Sequence, residues 1–484
     1  MKNEKRQVFN PFLPSYEYIP DGEPHVFGDR IYLFGSHDRF NGDVFCQNDY
    51  VCYSAPTDDL SDWKYEGVIY RRDQDPRNTD GNHYMWAPDV AKGPDGRYYL
   101  YYCMDVFPEI AVAVSDTPAG KYEYLGLVRH ADGEILGCRE KDYPQFDPAV
   151  FVDEDGKIYL YSGNGDKDRE HHSYRNSQVM RLSGDMLTIE EEAKVLIPLI
   201  HNSEGTGFEG HEFFEASSMR KINGKYYFIY SDINSASLCY AVSRYPDKDF
   251  QYGGVLVHIG DVGIDGRTEE EALNFLGNTH GSLECVEGIW YVFYHRQTNG
   301  TNFSRQACAE KIEILPDGRI RQAEMTSCGL NGGPLQGKGR YEARIACNLR
   351  AKDGVVISKK MYMDERFPYF TQDGEDREDD PNQYIANIKD GTMAGFKYFK
   401  LSRKGGIEVR VRGTAEGKFL VFANDREKIG EIMIRAEAGE WESFSGEYSL
   451  DTAEQEKTTA LYFVFQGTGK IDFYDFCLKE YIRR

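Results

Sequence analysis

A turn glycine followed by an aromatic-rich strand occurs five times in the first two thirds of this 484-residue chain. The copies are Gly28-Asp-Arg-Ile-Tyr-Leu-Phe-Gly-Ser36, Gly96-Arg-Tyr-Tyr-Leu-Tyr-Tyr102, Gly156-Lys-Ile-Tyr-Leu-Tyr-Ser162, Gly224-Lys-Tyr-Tyr-Phe-Ile-Tyr-Ser231 and Gly288-Ile-Trp-Tyr-Val-Phe-Tyr294. Their glycines stand 68, 60, 68 and 64 residues apart, and Asp95, Asp155 and Asn223 precede three of them. Such D-G and N-G pairs favour tight hairpins, and a shorter apolar segment precedes each copy, so each unit contains a hairpin. Further strands follow, as at 110–115 before the turn Asp116-Thr-Pro-Ala-Gly120. A period in the sixties with about four strands per unit fits propeller blades, and five units predict a five-bladed β-propeller over residues 1–325. The stretches 190–197 and 268–276 are the candidates for short helices or loops.

Composition agrees with an all-β chain: 35 Tyr and 28 Phe favour strands, and 48 Gly favour turns. Rings also stack on sugar faces, although sheet packing alone accounts for them equally. The net charge of −23 repels phosphate backbones and anionic lipid, which argues against nucleic-acid and membrane partners. It leaves a neutral oligosaccharide as a compatible partner and says nothing of oligomeric state. Ten cysteines are scattered without a C-x-x-C pair, as expected of reduced thiols. The charged start, Met1 to Gln7, is followed by no apolar leader, and no apolar run approaches a membrane span; the expected location is cytoplasmic.

The residues just upstream of the repeat glycines carry the functional signal. Asp21 and Asp89 each lie 7 residues before their glycine, Asp147 and Glu215 lie 9 before theirs, and His280 lies 8 before its own. The first strand of a propeller blade lines the central channel, so these five positions converge on one axis. Gathering ionisable groups in one funnel is costly, because like charges and burial both oppose ionisation. Turn capping explains any one of them; five at matched offsets point to a site.

These segments resemble glycoside hydrolase family 43. The resemblance rests on Ile19-Pro-Asp-Gly-Glu-Pro-His-Val-Phe27, Trp86-Ala-Pro-Asp-Val90, Phe146-Asp-Pro-Ala-Val-Phe-Val-Asp153, Phe214-Glu-Ala-Ser217 and His280-Gly-Ser282, in that order. It implies a five-bladed propeller and an inverting hydrolysis of arabinofuranosyl or xylosyl residues, with no cofactor required. In that scheme Asp21 is the general base, Glu215 the general acid, and Asp147 orients the acid and tunes its pKa. Inversion sets such a pair roughly 6.5–9.5 Å apart, leaving room for water. The family's base Asp is commonly followed by Pro; here Gly22-Glu23-Pro24 follows, and Glu23 is a rival, although Asp21 keeps the offset to His25-Val-Phe27. The resemblance also offers Trp86, Asp89, His280 and Arg296 as substrate-binding residues, and His280 as a contact, through water, to a structural Ca²⁺ at the propeller axis. The plainer alternatives are blade packing for Trp86, a hydrogen-bonded core histidine for His280 and a surface arginine for Arg296.

Two motifs carry no weight. Gly205-Thr-Gly-Phe-Glu-Gly210 satisfies G-x-G-x-x-G, but a hairpin rather than a helix follows it. His211-Glu-Phe-Phe-Glu215 has the frame of a zinc motif without its second histidine. The repeat stops by Asn331-Gly-Gly-Pro334. Residues 337–484 then alternate strand-like runs (407–411, 418–423, 430–434, 461–465) with turns, which predicts a β-sandwich, with a loop at 373–382. Gly391-Thr-Met-Ala-Gly-Phe-Lys-Tyr-Phe399, Trp441 and Ile471-Asp-Phe-Tyr-Asp-Phe476 resemble a family-6 carbohydrate-binding module. That module would bind sugar or buttress the rim of the active site. The competing functions are a glycan phosphorylase on a related propeller, which would replace Asp21 by cationic groups, and a non-catalytic glycan binder, which would lose the carboxylates.

Overall fold

The computed structural model describes residues 6–167, 175–357, 365–424, 427–437 and 439–480. Residues 1–5 of the charged start lie outside them. Five antiparallel sheets follow one another along the chain. Blade I is Glu23–Phe27, Arg30–Phe34, Tyr50–Pro56 and Lys64–Tyr70. Blade II is Met85–Lys92, Tyr98–Met104, Phe107–Ser115 and Glu123–Leu127. Blade III is Ala149–Val152, Ile158–Gly163, Ser177–Leu182 and Ile189–Val195. Blade IV is Phe213–Ile222, Lys225–Asp232, Ser237–Ser243 and Gln251–His258. Blade V is Ser282–Val286, Ile289–Gln297 and Arg305–Lys311. The first strands of neighbouring blades touch in a closed ring, I to II and on to V and back to I, which makes the array a five-bladed β-propeller.

Each repeat glycine turns the hairpin between the first and second strands of its blade. All five have positive φ, from 68° at Gly28 to 86° at Gly96, a region that a Cβ disfavours. The space beside them is open, so backbone conformation and not crowding selects glycine. Five apolar cores fill the gaps between adjacent blades, and buried tyrosines recur in them. Tyrosine serves there because its hydroxyl reaches a carbonyl at the blade margin: Tyr161 donates to Pro246 O at 2.8 Å and Tyr230 to His211 O at 2.7 Å. The three-stranded fifth blade is bordered by the start of the chain. Asn10 bonds both the N–H and the carbonyl of Ala309, at 3.0 and 2.8 Å, and Phe12 N–H donates to Ala307 O at 3.4 Å.

One of the two expected short helices or loops changes and the other holds. Residues 190–195 are not helical but belong to the fourth strand of blade III, whose charged side chains face water at a sheet edge. Within 268–276 only Glu269–Glu271 form a single helical turn, capped by Thr268.

Beyond the propeller one ten-stranded sheet encloses a single apolar core. Its two longest strands, Lys404–Ala423 and Glu456–Glu480, pair along nearly their whole length. Gly417 lies opposite Gly467, and a Cβ on either would stand 2.3–2.4 Å from the facing carbonyl oxygen. The sheet is joined to the propeller by buried polar contacts. Lys397 Nζ lies 3.0 Å from Asp261 and 2.8 Å from Glu324, and Asn348 donates to Asp261 at 3.0 Å.

Candidate active site

A cavity of about 650 Å³ is lined by Asp21, Asp147, Glu215, Trp86, His280 and Arg305, among others. The backbone at the carboxylates departs from regular strand. Asp21 has φ 56° and Asp147 φ 45°, and Ala216, directly after Glu215, has φ 69°. The pairing register of blade IV slips on both sides of Glu215. The bulge re-aims the side chain of blade IV, and the left-handed backbone at Asp21 and Asp147 does the same just ahead of the first strands of blades I and III.

Charge divides the three carboxyls. Burial pushes Asp21 upward, but the Arg305 guanidinium, helped by His295 and His280, outweighs it and holds Asp21 below its ordinary value. Arg305 Nη1 lies 2.9 Å from Asp21 Oδ1. Among the described residues no arginine or lysine pairs with Asp147. Burial, then the charges of Glu215 and Asp21, drive it well above the carboxylate range. Burial raises Glu215 to about 7 against the pull of Lys167. One carboxyl is thus kept ionised and its neighbours hold a proton, the division that acid–base hydrolysis needs. Ala216 N–H donates to Asp147 Oδ2 at 3.0 Å, and Asn164 Nδ2 donates to Glu215 Oε2 at 3.3 Å. His280 Nδ1 stands 3.6 Å from Asp147 Oδ2, and burial lowers its pKa to about 4, so the ring is neutral. Trp86 meets Phe146 edge-on, with ring centres 5.3 Å apart.

The rival base Glu23 is absent from the cavity wall. It is buried in the first strand of blade I, where Ser218 Oγ and Arg220 Nη2 each lie 3.1 Å from its Oε2. Two of the expected substrate contacts also lie elsewhere. Asp89 does not line the cavity: His25 Nε2 and the backbone N–H groups of Val90 and Val150 occupy its oxygens, each at 2.7 Å. Arg296 does not either. Its guanidinium donates to Ala346 O at 2.9 Å and Arg344 O at 2.7 Å and lies over the Phe370 ring, so it joins the two domains. The arginine of the site is Arg305, on the next strand, where Gln297 pairs with it across the ladder. Asp38 accepts from Arg305 Nε at 2.8 Å and Nη2 at 3.0 Å and fixes its direction. Phe45, Lys167 and Asn302 also line the cavity, from loops without a sequence pattern of their own.

Among the described residues, two triplets have metal-ligating spacing, His211 with Asp232 and Cys239, and Glu23 with His25 and Asp89. Neither includes His280 or the three cavity carboxyls.

Comparison with known proteins settles the family. The sequence profile of glycosyl hydrolases family 43 matches residues 10–320. The chain belongs to glycosyl hydrolase family 43. This family 43 hydrolase is 50% identical over 481 residues to a xylosidase/arabinosidase of Thermoclostridium stercorarium, covering 98% of this chain and 99% of that protein. A xylosidase/arabinosidase of Bacteroides ovatus is 31% identical over 353 residues, covering 66% of this chain and 98% of its own. In structure it is similar to a glycoside hydrolase family 43 arabinoxylan arabinofuranohydrolase from Bacillus subtilis, solved with cellotetraose. That likeness has a TM-score of 0.52 at 20% identity, covers 98% of this chain and 97% of the other, and is one of fold.

Proposed function

We propose that this hydrolase releases arabinofuranosyl or xylosyl residues, with inversion, from plant-cell-wall oligosaccharides such as arabinoxylan, xylan or arabinan fragments. The observation that carries the mechanism is that Asp21, held low beside Arg305, and Glu215, pushed up by burial, line one cavity. Ionised Asp21 takes a proton from water as its oxygen attacks the anomeric carbon. Protonated Glu215 delivers its proton to the leaving oxygen as the glycosidic bond breaks. Asp147, buried beside Glu215, orients the acid and tunes its pKa. The choice of sugars draws on the two relatives, both described as xylosidase/arabinosidase. Trp86 and His280 are read as sugar contacts because both face the cavity.

The reading requires no cofactor. Ca²⁺ takes six to eight oxygen ligands, whereas His280 supplies one nitrogen beside a cationic Arg305 and a protonated Asp147. These residues do not fit a directly held Ca²⁺; His280 would reach such an ion only through water. The C-terminal sheet is read as a sandwich of carbohydrate-binding-module type over 337–484. Its half-buried Trp441 stacks on Tyr474, with ring centres 5.0 Å apart, and Arg412 covers the Trp441 ring, while Lys397 and Arg296 tie the domain to the propeller, so support of the propeller is the role favoured.

The test is release of nitrophenol from α-L-arabinofuranoside and β-D-xyloside, with the anomer of the first product read by NMR. The expected result is release from at least one glycoside, an inverted product, and a loss of roughly 100-fold or more in Asp21→Ala. A retained configuration would overturn the mechanism, and no release from either would overturn the sugar assignment.

A further inference from the structure

The wall of the cavity beside Glu215 continues into the C-terminal domain. Glu215 pairs across blade IV with Ser231, and the chain runs on from there through Ile233, Asn234, Ser235 and Ala236, all lining the cavity. Ser235 O accepts from Thr279 N–H at 2.8 Å, which ties this turn to the segment holding Leu276 and Asn278. Leu276 N–H in turn donates to Val356 O at 2.8 Å, and Leu276 bridges Ile357 in parallel. Ile357 lines the same cavity, yet it belongs to a chain segment leaving the strand Asn348–Arg350, which pairs with Met393–Ser402 in the C-terminal sheet. It is also one of the few large apolar side chains left exposed, at 44%.

A general acid touches the oxygen between the two sugars, so the departing sugar must lie along the acid's own wall. Here that wall alternates apolar surface (Ile233, Leu276, Ile357) with polar groups (Asn234, His258, Glu269). This suits a neutral sugar ring, which offers C–H faces to the first set and hydroxyls to the second. We propose that Ile357, supplied by the C-terminal domain, is a specificity-determining wall of the leaving-group subsite, packing on the C–H face of the departing sugar. The inference rests on the reading of Glu215 as the acid. It makes recognition of the substrate chain depend on both domains, while the groups that move protons all belong to the propeller.

Two substrates of the same released sugar separate the roles: an unactivated oligosaccharide, whose leaving sugar fills the subsite, and the glycosyl fluoride, whose leaving ion does not. For Ile357→Ala the expected kcat/KM on the oligosaccharide falls about tenfold, as for loss of a methyl-sized contact or more in a pocket. The fluoride rate stays within about twofold and Ile357→Leu restores the oligosaccharide rate. Being half exposed, Ile357 is replaceable without a cavity in the core. An unchanged oligosaccharide rate in Ile357→Ala, or an equal loss on both substrates, would overturn the proposal. A wild type inert toward both substrates would instead overturn the hydrolase reading on which it rests.

Discussion

Arg305 decides which carboxyl of the site is the base. Its guanidinium is buried between Asp21 and Asp38, and Asp38 holds its fork so that only Nη1 is left for Asp21. Without that cation, burial acts on Asp21 against only the weaker pull of His295 and His280, and its pKa rises. The base works ionised and the acid works protonated. Activity is therefore expected to fall as pH rises through about 7, where Glu215 deprotonates, and to fall at low pH only below the ordinary Asp value. Replacing Arg305 by Met should lift the acid limb of the kcat/KM profile toward neutrality, while Arg305→Lys, which keeps the charge, should shift it less. An acid limb unmoved in Arg305→Met would show that Asp21 is not the group it controls. The sequence carried the candidates but not this choice. Asp21 and Glu23 stand two residues apart, and the positive φ that turns Asp21 toward Arg305, while Glu23 meets Ser218 and Arg220, has no mark in the sequence. Arg296 and Arg305 lie on paired strands nine positions apart in sequence, and nothing in their neighbours reveals which one faces the channel.

At the level of elements, the hairpins were legible because glycine with positive φ has few substitutes, and its five recurrences fixed both blade number and the channel-facing end of each blade. Less legible was the strand at 189–195, since a run of Glu on an exposed edge strand shows no alternation to distinguish it from a helix face. The loop at 373–382 was expected, but not its task. Asp376 accepts from Phe40 N–H at 2.6 Å and from Asn48 Nδ2 at 3.0 Å, and so brackets the rim segment that carries Phe45 and Cys46 into the cavity. Arg377 pairs with Glu17 beside it. Asp376→Ala should release that segment and lower kcat/KM by roughly fivefold, in line with about 1 kcal/mol for a partly exposed bond, with the melting temperature little changed. Unchanged kinetics would mean that the rim holds its own shape.

Across the whole molecule, two bodies of unlike topology share one buried polar seam. Lys397 is almost wholly inaccessible, with Asp261 and Glu324 as its partners, and Arg296 bonds two carbonyls of the following domain. A charge buried in this way is tolerated only while its partners stay in place, so the seam favours one arrangement of the domains. Sequence patterning could announce both domains, because strand period and turn residues are local. It could not announce the seam, since the groups that meet there are 48 to 136 positions apart and Lys397, Asp261 and Glu324 each read as an ordinary surface charge.

The central claim is that Asp21 and Glu215 divide the chemistry between attack and departure. The most direct test is a series of glycosides of the released sugar with leaving groups of graded acidity, compared in wild type, Asp21→Ala and Glu215→Ala. A lost acid matters only where the departing oxygen needs a proton. The Glu215→Ala defect should therefore shrink from roughly 100-fold or more on a sugar leaving group to little on a dinitrophenolate, while the Asp21→Ala defect stays large throughout. A Glu215→Ala defect that is the same for every leaving group would contradict the account.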